Sequence, residues 1–278
     1  ARLGADTQGS QFLNPDGMFP NHIPNPENKE AMASICQATL DNKGDLGIIF
    51  DTDVDRAAIV GSDGRPINKN ALIALISSII LEEHPQTTIV TDSVTSNGLA
   101  KFIKARGGIH HRFKRGYKNV INEAIRLNEE GRESHLAIET SGHAAIKENY
   151  FLDDGAYLIS KILVKAAKLY RESQDIGQLI SDLDEALEDK EIRLKIEEKD
   201  FRSYANKLIK SLSEKIKDID GWAEVADNYE GIRVDCYDEK GWFLMRSSLH
   251  EPLLVINFES DIKGGCDTIN EKLSALIK

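Results

Sequence analysis

From residue 27 to about residue 170 the chain alternates helix-length apolar periodicities with short β-branched runs, a pattern that restricts it to an α/β architecture. The spacing predicts a helix from Glu27 to Asn42, with Ala31, Ile35, Ala38 and Leu40 on its apolar side. A strand Ile48–Phe50 and a second strand Ala57–Val60 follow, closed by the turn Gly61-Ser62-Asp63-Gly64. Asn70–Glu83 then reads as a strongly apolar helix, Thr87–Thr91 as a strand, Ser96–Arg106 as a helix and His110–Phe113 as a strand. Lys118–Asn128 is a further helix, His135–Ile138 a strand and Gly155–Tyr170 a long helix. This order implies a largely parallel, helix-covered sheet, with ligands expected in the polar loops after Phe50, Phe113 and Ile138. Glu172–Glu191 is charged and weakly patterned, a linker or short helix. Beyond it, strands at 192–196, 231–237, 241–246 and 253–259 with helices Phe201–Ile216 and Cys266–Ile277 describe an antiparallel α+β domain.

Composition narrows the function. Of the 278 residues 41% are hydrophobic and 29% charged, the balance of a folded globular chain. The net charge of −11 argues against non-specific nucleic-acid binding, so an anionic substrate needs a local basic site. Cys36, Cys236 and Cys266 are too few and too scattered for a disulfide framework or a metal-type pair, which fits a reducing cytoplasm. No run approaches the roughly 20 apolar residues of a membrane span, so no membrane partner is expected.

Three loops carry candidate chemistry. Asp51-Thr52-Asp53-Val54-Asp55-Arg56 sets carboxylates at every second position behind an apolar strand, a pattern suited to a hard divalent cation such as Mg²⁺; a solvated acidic turn is the plainer reading. Glu139-Thr140-Ser141-Gly142-His143 offers a carboxylate and a hydroxyl suited to sugar hydroxyls, and an imidazole able to move protons near neutral pH. Arg246-Ser247-Ser248-Leu249-His250-Glu251-Pro252 joins a guanidinium to two hydroxyls in one turn, a combination that can clasp a phosphate. Lys114-Arg115-Gly116-Tyr117-Lys118 is a fourth, basic loop.

In this order the loops resemble those of the α-D-phosphohexomutase family, the phosphoglucomutases and phosphomannomutases, over almost the whole chain. The resemblance implies that Asp51, Asp53 and Asp55 bind Mg²⁺ with Arg56 beside them, although Thr52 and Val54 stand where glycines are usual. It implies that Glu139, Ser141 and His143 contact the sugar, with Ile138 in place of a leading glycine. Arg246, Ser247 and Ser248 would hold a phosphate, Leu249 and His250 being departures from the family loop, and Lys114 falls in the family's basic loop. Phe19–Pro26 is similar to a second-domain signature.

The implied fold is α/β, with tandem β/α mixed-sheet domains, one incomplete (1–64) and one complete (65–185), followed by a C-terminal antiparallel α+β domain (186–278). The implied activity interconverts hexose 1-phosphate and hexose 6-phosphate, with Arg56 and His143 as the catalytic pair. No T-A-S-H-N-P-like phosphoserine segment occurs between residues 1 and 278, so the missing N-terminal domains of a parent chain are an expected partner.

Rival readings remain open. Ile48–Asp53 also fits the opening motif of haloacid-dehalogenase-type phosphatases, with Asp153-Asp154 as their metal pair; a non-catalytic sugar-phosphate binder is the other alternative. Asp153 and Asp154 are more simply a helix cap and a first-turn charge.

Overall fold

A computed structural model describes residues 4–248 and 251–277. The chain divides into two compact units. One runs through Thr91 and includes Leu99–His111 and Gly116–Leu183; the other comprises Asp92–Gly98, Arg112–Arg115 and the chain from Asp184 onward.

In the first unit α1 (Lys29–Asp41) starts at Asn28, whose side chain accepts the Ala31 amide at 2.9 Å and so satisfies one of the donors a helix start leaves open. Next come β1 (Leu46–Phe50), β2 (Ala57–Gly61) and β3 (Pro66–Ile67), an antiparallel sheet in that order. α2 (Lys69–Glu83) is apolar nearly all round and buries every residue from Leu72 to Leu81, as a helix enclosed by other elements must.

The second sheet of this unit is built from β4 (Thr88–Asp92), β5 (Ile109–Phe113), β6 (Ser134–Ile138) and β7 (Ala144–Ile146), in the order β5-β4-β6-β7. α3 (Asn97–Ala105), α4 (Tyr117–Glu129) and α5 (Gly155–Arg171) complete the sequence of elements. β4 and β6 pair in parallel, as expected, whereas β6 and β7 are antiparallel. One apolar core runs through both sheets and their helices, from Ile59 and Leu72 through Ile89 and Leu136 to Leu158 and Ile162. It crosses the position expected as the boundary between 64 and 65, and so does the β2–β3 pairing.

One sequence expectation needs correcting. β1 and β2 pair antiparallel, Phe50 opposite Ala57, so the aspartates occupy a hairpin loop and not the carboxyl end of a parallel strand. Six intervening residues cannot form the crossover that parallel pairing needs.

The second unit centres on a five-stranded antiparallel sheet ordered β8-β12-β11-β10-β9. Its elements are β8 (Glu188–Lys195), α6 (Phe201–Ile216), β9 (Trp222–Glu224), β10 (Ile232–Cys236), β11 (Gly241–Ser247), β12 (Leu253–Ser260) and α7 (Gly265–Leu276). Alternate residues Leu254, Ile256 and Phe258 of β12 enter a core shared with Leu212, Ile216, Ile269 and Leu273 of the helices. β8 begins four residues before the expected Ile192, on Glu188-Asp189-Lys190-Glu191. As an exposed edge strand it is held by main-chain pairing to β12, and its charged side chains hide it from a periodicity argument. Among the described residues no helix is long and apolar enough to cross a membrane.

Candidate active site

The Asp51–Arg56 hairpin loop is closed by its own last residue. Arg56 donates its backbone N–H to Asp51 Oδ1 at 3.1 Å and its Nε to Asp51 Oδ2 at 2.7 Å, while the Asp51 N–H reaches the Arg56 carbonyl at 3.3 Å. Asp51 is thereby buried, Asp53 stays exposed and Asp55 lies between. Each of the three offers a carboxylate oxygen, and these atoms lie within 4.8 Å of one another. Burial raises the Asp51 pKa, but the hydrogen bonds from Arg56 outweigh it and the net direction is down. Asp55 moves the other way. Burial, and then its hydrogen bond with Asp51 and the charges of Asp51 and Asp153, push it up to about 6 against the pull of His143.

Asp55 Oδ1 is buried without a hydrogen-bond partner among the described residues. An all-oxygen set with one unused buried acceptor suits a hard divalent cation.

The backbone of this loop is strained at one residue. Val54 has φ +65°, in the left-handed region that β-branched side chains avoid, and its carbonyl is fixed by the Gly155 N–H at 3.0 Å at the start of α5. Val54→Gly is expected to raise stability by about 1 kcal/mol, the relieved strain exceeding the greater unfolded-state freedom of glycine. Thermal denaturation of the two proteins side by side measures this; a lower melting temperature for the glycine variant refutes it.

The Glu139–His143 segment is also a hairpin loop, joining β6 to β7, and it meets the aspartate loop edge to edge. Arg56 and His143 form an antiparallel bridge, and the Ala57 N–H donates to the Gly142 carbonyl at 3.3 Å. The contact requires glycine: Gly142 has φ +99°, and a Cβ there would lie 2.6 Å from the Ala57 carbonyl oxygen. His143 Nδ1 is 2.8 Å from Asp153 Oδ2 and 3.6 Å from Asp55 Oδ2, and its ring stacks on Tyr117 with centroids 5.0 Å apart. Burial lowers the His143 pKa, yet the hydrogen bond and charge of Asp153, helped by Asp55 and Glu139, raise it overall. An Nδ1–H held by Asp153 leaves Nε2 as the nitrogen available for proton exchange.

Asp153 therefore does not serve the helix, contrary to the sequence expectation. Asp154 alone caps α5, accepting the Tyr157 N–H at 2.8 Å, while Asp153 faces His143. The signal for Asp153 was weak, since in sequence the pair looks like a doubled cap.

Glu139 is 4% exposed. Its Oε1 accepts the Gly116 N–H and its Oε2 lies 3.4 Å from the Ser141 hydroxyl, so this carboxylate also braces the turn that starts α4.

In the second unit Arg246 lies on β11, 7% exposed, and its Nε has no hydrogen-bond partner among the described residues. Burial lowers its pKa, opposed chiefly by the Glu230 carboxylate and reinforced by the Arg115 guanidinium. Ser247 Oγ lies 3.3 Å from the Ser248 carbonyl, and Ser248 Oγ accepts the Glu251 N–H at 3.3 Å. Leu249 and His250, the departures noted in this loop, lie outside the described residues. Lys114 belongs to this unit too; it is exposed, with Nζ 5.9 Å from the Phe113 ring centroid.

The described chain thus places a loop of three carboxylates against a carboxylate–imidazole loop in one unit, and a buried arginine at the start of a turn in the other. Comparison with known proteins gives the family. A family model described as phosphoglucomutase/phosphomannomutase, alpha/beta/alpha domain II, matches residues 2–64, and that of domain III matches residues 68–186. The phosphoglucomutase of Neisseria gonorrhoeae is 28% identical over 268 residues, covering 96% of this chain and 55% of that protein. The phosphomannomutase/phosphoglucomutase of Pseudomonas aeruginosa is 30% identical over 248 residues, 88% of this chain and 50% of that one. A crystal structure of a phosphoglucomutase/phosphomannomutase family protein from Burkholderia thailandensis superposes with a TM-score of 0.78 at 28% identity, covering 95% of this chain and 53% of that one.

The chain belongs to the α-D-phosphohexomutase family, and it spans about half the length of the relatives it matches. Membership sets aside the haloacid-dehalogenase reading.

Proposed function

We propose that this chain carries the metal, sugar and phosphate loops of a phosphohexomutase that interconverts hexose 1-phosphate and hexose 6-phosphate, with glucose or mannose as the hexose, through a bisphosphorylated sugar. The observation that carries the reading is the pair of abutting hairpin loops, with the three aspartate donors within 4.8 Å of one another beside the His143–Asp153 pair. Residues 1–64 supply the metal loop, 65–185 the sugar and basic loops and 186–278 the phosphate loop.

Asp51, Asp53 and Asp55 hold Mg²⁺, which when bound offsets the negative charge on a phosphoryl group in transfer. Arg56 keeps Asp51 ionised and oriented, and adds positive charge at the same place. His143, its Nδ1 proton directed to Asp153, moves a proton at Nε2 to or from a sugar oxygen. Glu139 and Ser141 orient sugar hydroxyls, with Lys114 as a further cationic contact. Arg246, Ser247 and Ser248 grip a phosphate of the substrate. The phosphoserine donor comes from another domain of the parent enzyme, and the chain by itself binds hexose phosphate without turning it over; the cytoplasm is the compartment that suits its three scattered thiols.

Calorimetric titration of the chain with MgCl₂ and with glucose 1-phosphate tests the division of labour. Arg246→Ala is expected to weaken glucose 1-phosphate binding about 100-fold, the loss of a charged hydrogen-bonding partner, with Mg²⁺ affinity unchanged. Equal loss of both, or retention of sugar-phosphate affinity, contradicts the reading. Joining the chain to a phosphoserine-bearing domain is expected to create mutase turnover.

A further inference from the structure

Beside the aspartate loop the first unit brings together a second, different set of donors. His143 Nδ1 lies 2.8 Å from Asp153 Oδ2 and 3.6 Å from Asp55 Oδ2, and donor atoms of the three residues fall within 4.8 Å of one another. Ligand atoms about 2.0 to 2.1 Å from a tetrahedral centre are themselves roughly 3.4 Å apart, so the two spacings bracket what one ion needs. The three side chains come from different turns that main-chain links hold in place: the Arg56–His143 bridge, the Ala145–Asp153 bridge and the Gly155 N–H on the Val54 carbonyl. All three are largely shielded, with 15% exposure for His143, 13% for Asp153 and 28% for Asp55. The second oxygen of each carboxylate, Asp55 Oδ1 and Asp153 Oδ1, is buried with no hydrogen-bond partner among the described residues. Acceptors kept out of water without a donor are costly, and a bound cation satisfies them.

We propose that Asp55, His143 and Asp153 form a second cation site, one that takes a nitrogen-seeking divalent ion such as Zn²⁺. The donor set separates it from the aspartate loop. Mg²⁺ takes oxygen ligands and suits Asp51, Asp53 and Asp55, whereas an imidazole with two carboxylates suits Zn²⁺ and leaves a fourth position open to water. On binding, the ion takes the place of the proton on His143 Nδ1, which passes to solvent. Asp55 is common to both sets; His143 and Asp153 belong to the zinc set alone, and Asp53 to the magnesium set alone. The site goes beyond the hexose-phosphate reading and does not depend on it, since it needs only three turns of one unit.

Calorimetric titration of the chain with ZnCl₂ alone, in a buffer that does not chelate zinc, tests the proposal. His143→Ala removes the nitrogen ligand and is expected to weaken Zn²⁺ binding at least about 100-fold, the upper end of what losing even an outer partner of a metal ligand costs. Asp153→Asn is expected to weaken it too, with the imidazole still in place. Asp53→Asn is expected to leave Zn²⁺ affinity unchanged while weakening Mg²⁺ binding. Zinc affinity that is the same in the parent and in His143→Ala, or a parent chain that takes up no zinc, overturns the proposal. If His143→Ala fails to fold, as its melting curve would show, unchanged zinc affinity in Asp153→Asn overturns it instead. MgCl₂ is titrated in parallel. A parent chain that binds zinc through His143 but no magnesium defeats the Mg²⁺ assignment of the aspartate loop and leaves the zinc site standing. One that binds magnesium but no zinc overturns the zinc site alone.

Discussion

Replacing Arg233 by alanine is expected to cost the C-terminal unit about 4 kcal/mol, the range for breaking a fully buried, hydrogen-bonded charged group. Arg233 is 2% exposed. Its Nη1 donates to the Ser93 carbonyl at 2.9 Å, and its Nη2 donates to the Thr95 carbonyl and to Asn97 Oδ1, each at 3.1 Å. Its Cζ stacks 3.5 Å from the centroid of the Trp242 ring. Alanine removes the donor from the Ser93 carbonyl, opens a cavity under Trp242 and leaves Glu259 with Arg112 as its remaining cationic neighbour. Arg233 is not ideally satisfied. Its Nε has no partner among the described residues, and burial followed by repulsion from Arg112 lowers its pKa well below the ordinary value. Arg233→Met, which keeps the volume and the ring contact, is therefore expected to lose clearly less than Arg233→Ala. Both tryptophans, Trp222 and Trp242, belong to this unit, so urea denaturation followed by tryptophan fluorescence reads its stability directly. A loss under about 1 kcal/mol for the alanine variant would show that these bonds are replaced by water at little cost.

The second large effect is expected at Asp55, with opposite signs in the absence and presence of Mg²⁺. Its folded-state pKa of about 6 lies above the ordinary 3.8. Between those two values the folded chain binds the proton more strongly than the unfolded one. Without metal, this group therefore favours folding at low pH, and the contribution is lost as pH rises through about 6. Above that pH Asp55→Asn removes the repulsion and is expected to stabilise the metal-free chain by about 2 kcal/mol. The same substitution is expected to weaken Mg²⁺ binding about 100-fold, since a carboxamide oxygen replaces an ionised ligand. In the parent chain Mg²⁺ affinity is expected to fall about tenfold per pH unit below pH 6, as the proton competes for the ligand. Melting temperatures in EDTA and in MgCl₂, across pH 5 to 8, measure both signs. A variant less stable than the parent in EDTA at pH 8 contradicts the repulsion argument, and an unchanged response to MgCl₂ removes Asp55 from the cation site.

The parts of the fold legible in the sequence are those decided by local periodicity. α6 spans Phe201–Ile216 as its spacing predicts, and α2 and α5 lie within a residue of their expected limits. β8 escaped because an edge strand needs no apolar alternation when a neighbour supplies the hydrogen bonds. β3, β7 and β9 escaped because two or three residues have no period to detect.

The candidate site divides in the same way. Asp51, Asp53 and Asp55 could be grouped from their spacing, because a six-residue loop between strands leaves them nowhere to separate. Asp153 could not be assigned to His143, nor Glu139 to Gly116, because each pairing joins different turns of the chain.

What the sequence by itself determined is the order of the longer elements and which polar residues share a loop, since both depend on neighbours within a few residues. Only the tertiary structure decided that the aspartate and histidine loops share an edge through Gly142, that Asp153 turns to His143, and that Glu230 accepts the Ser93 hydroxyl. Those are contacts between residues up to 137 positions apart, made when burial of the apolar cores brings distant backbone together. A linear pattern carries no record of which polar groups that collapse will strand and pair.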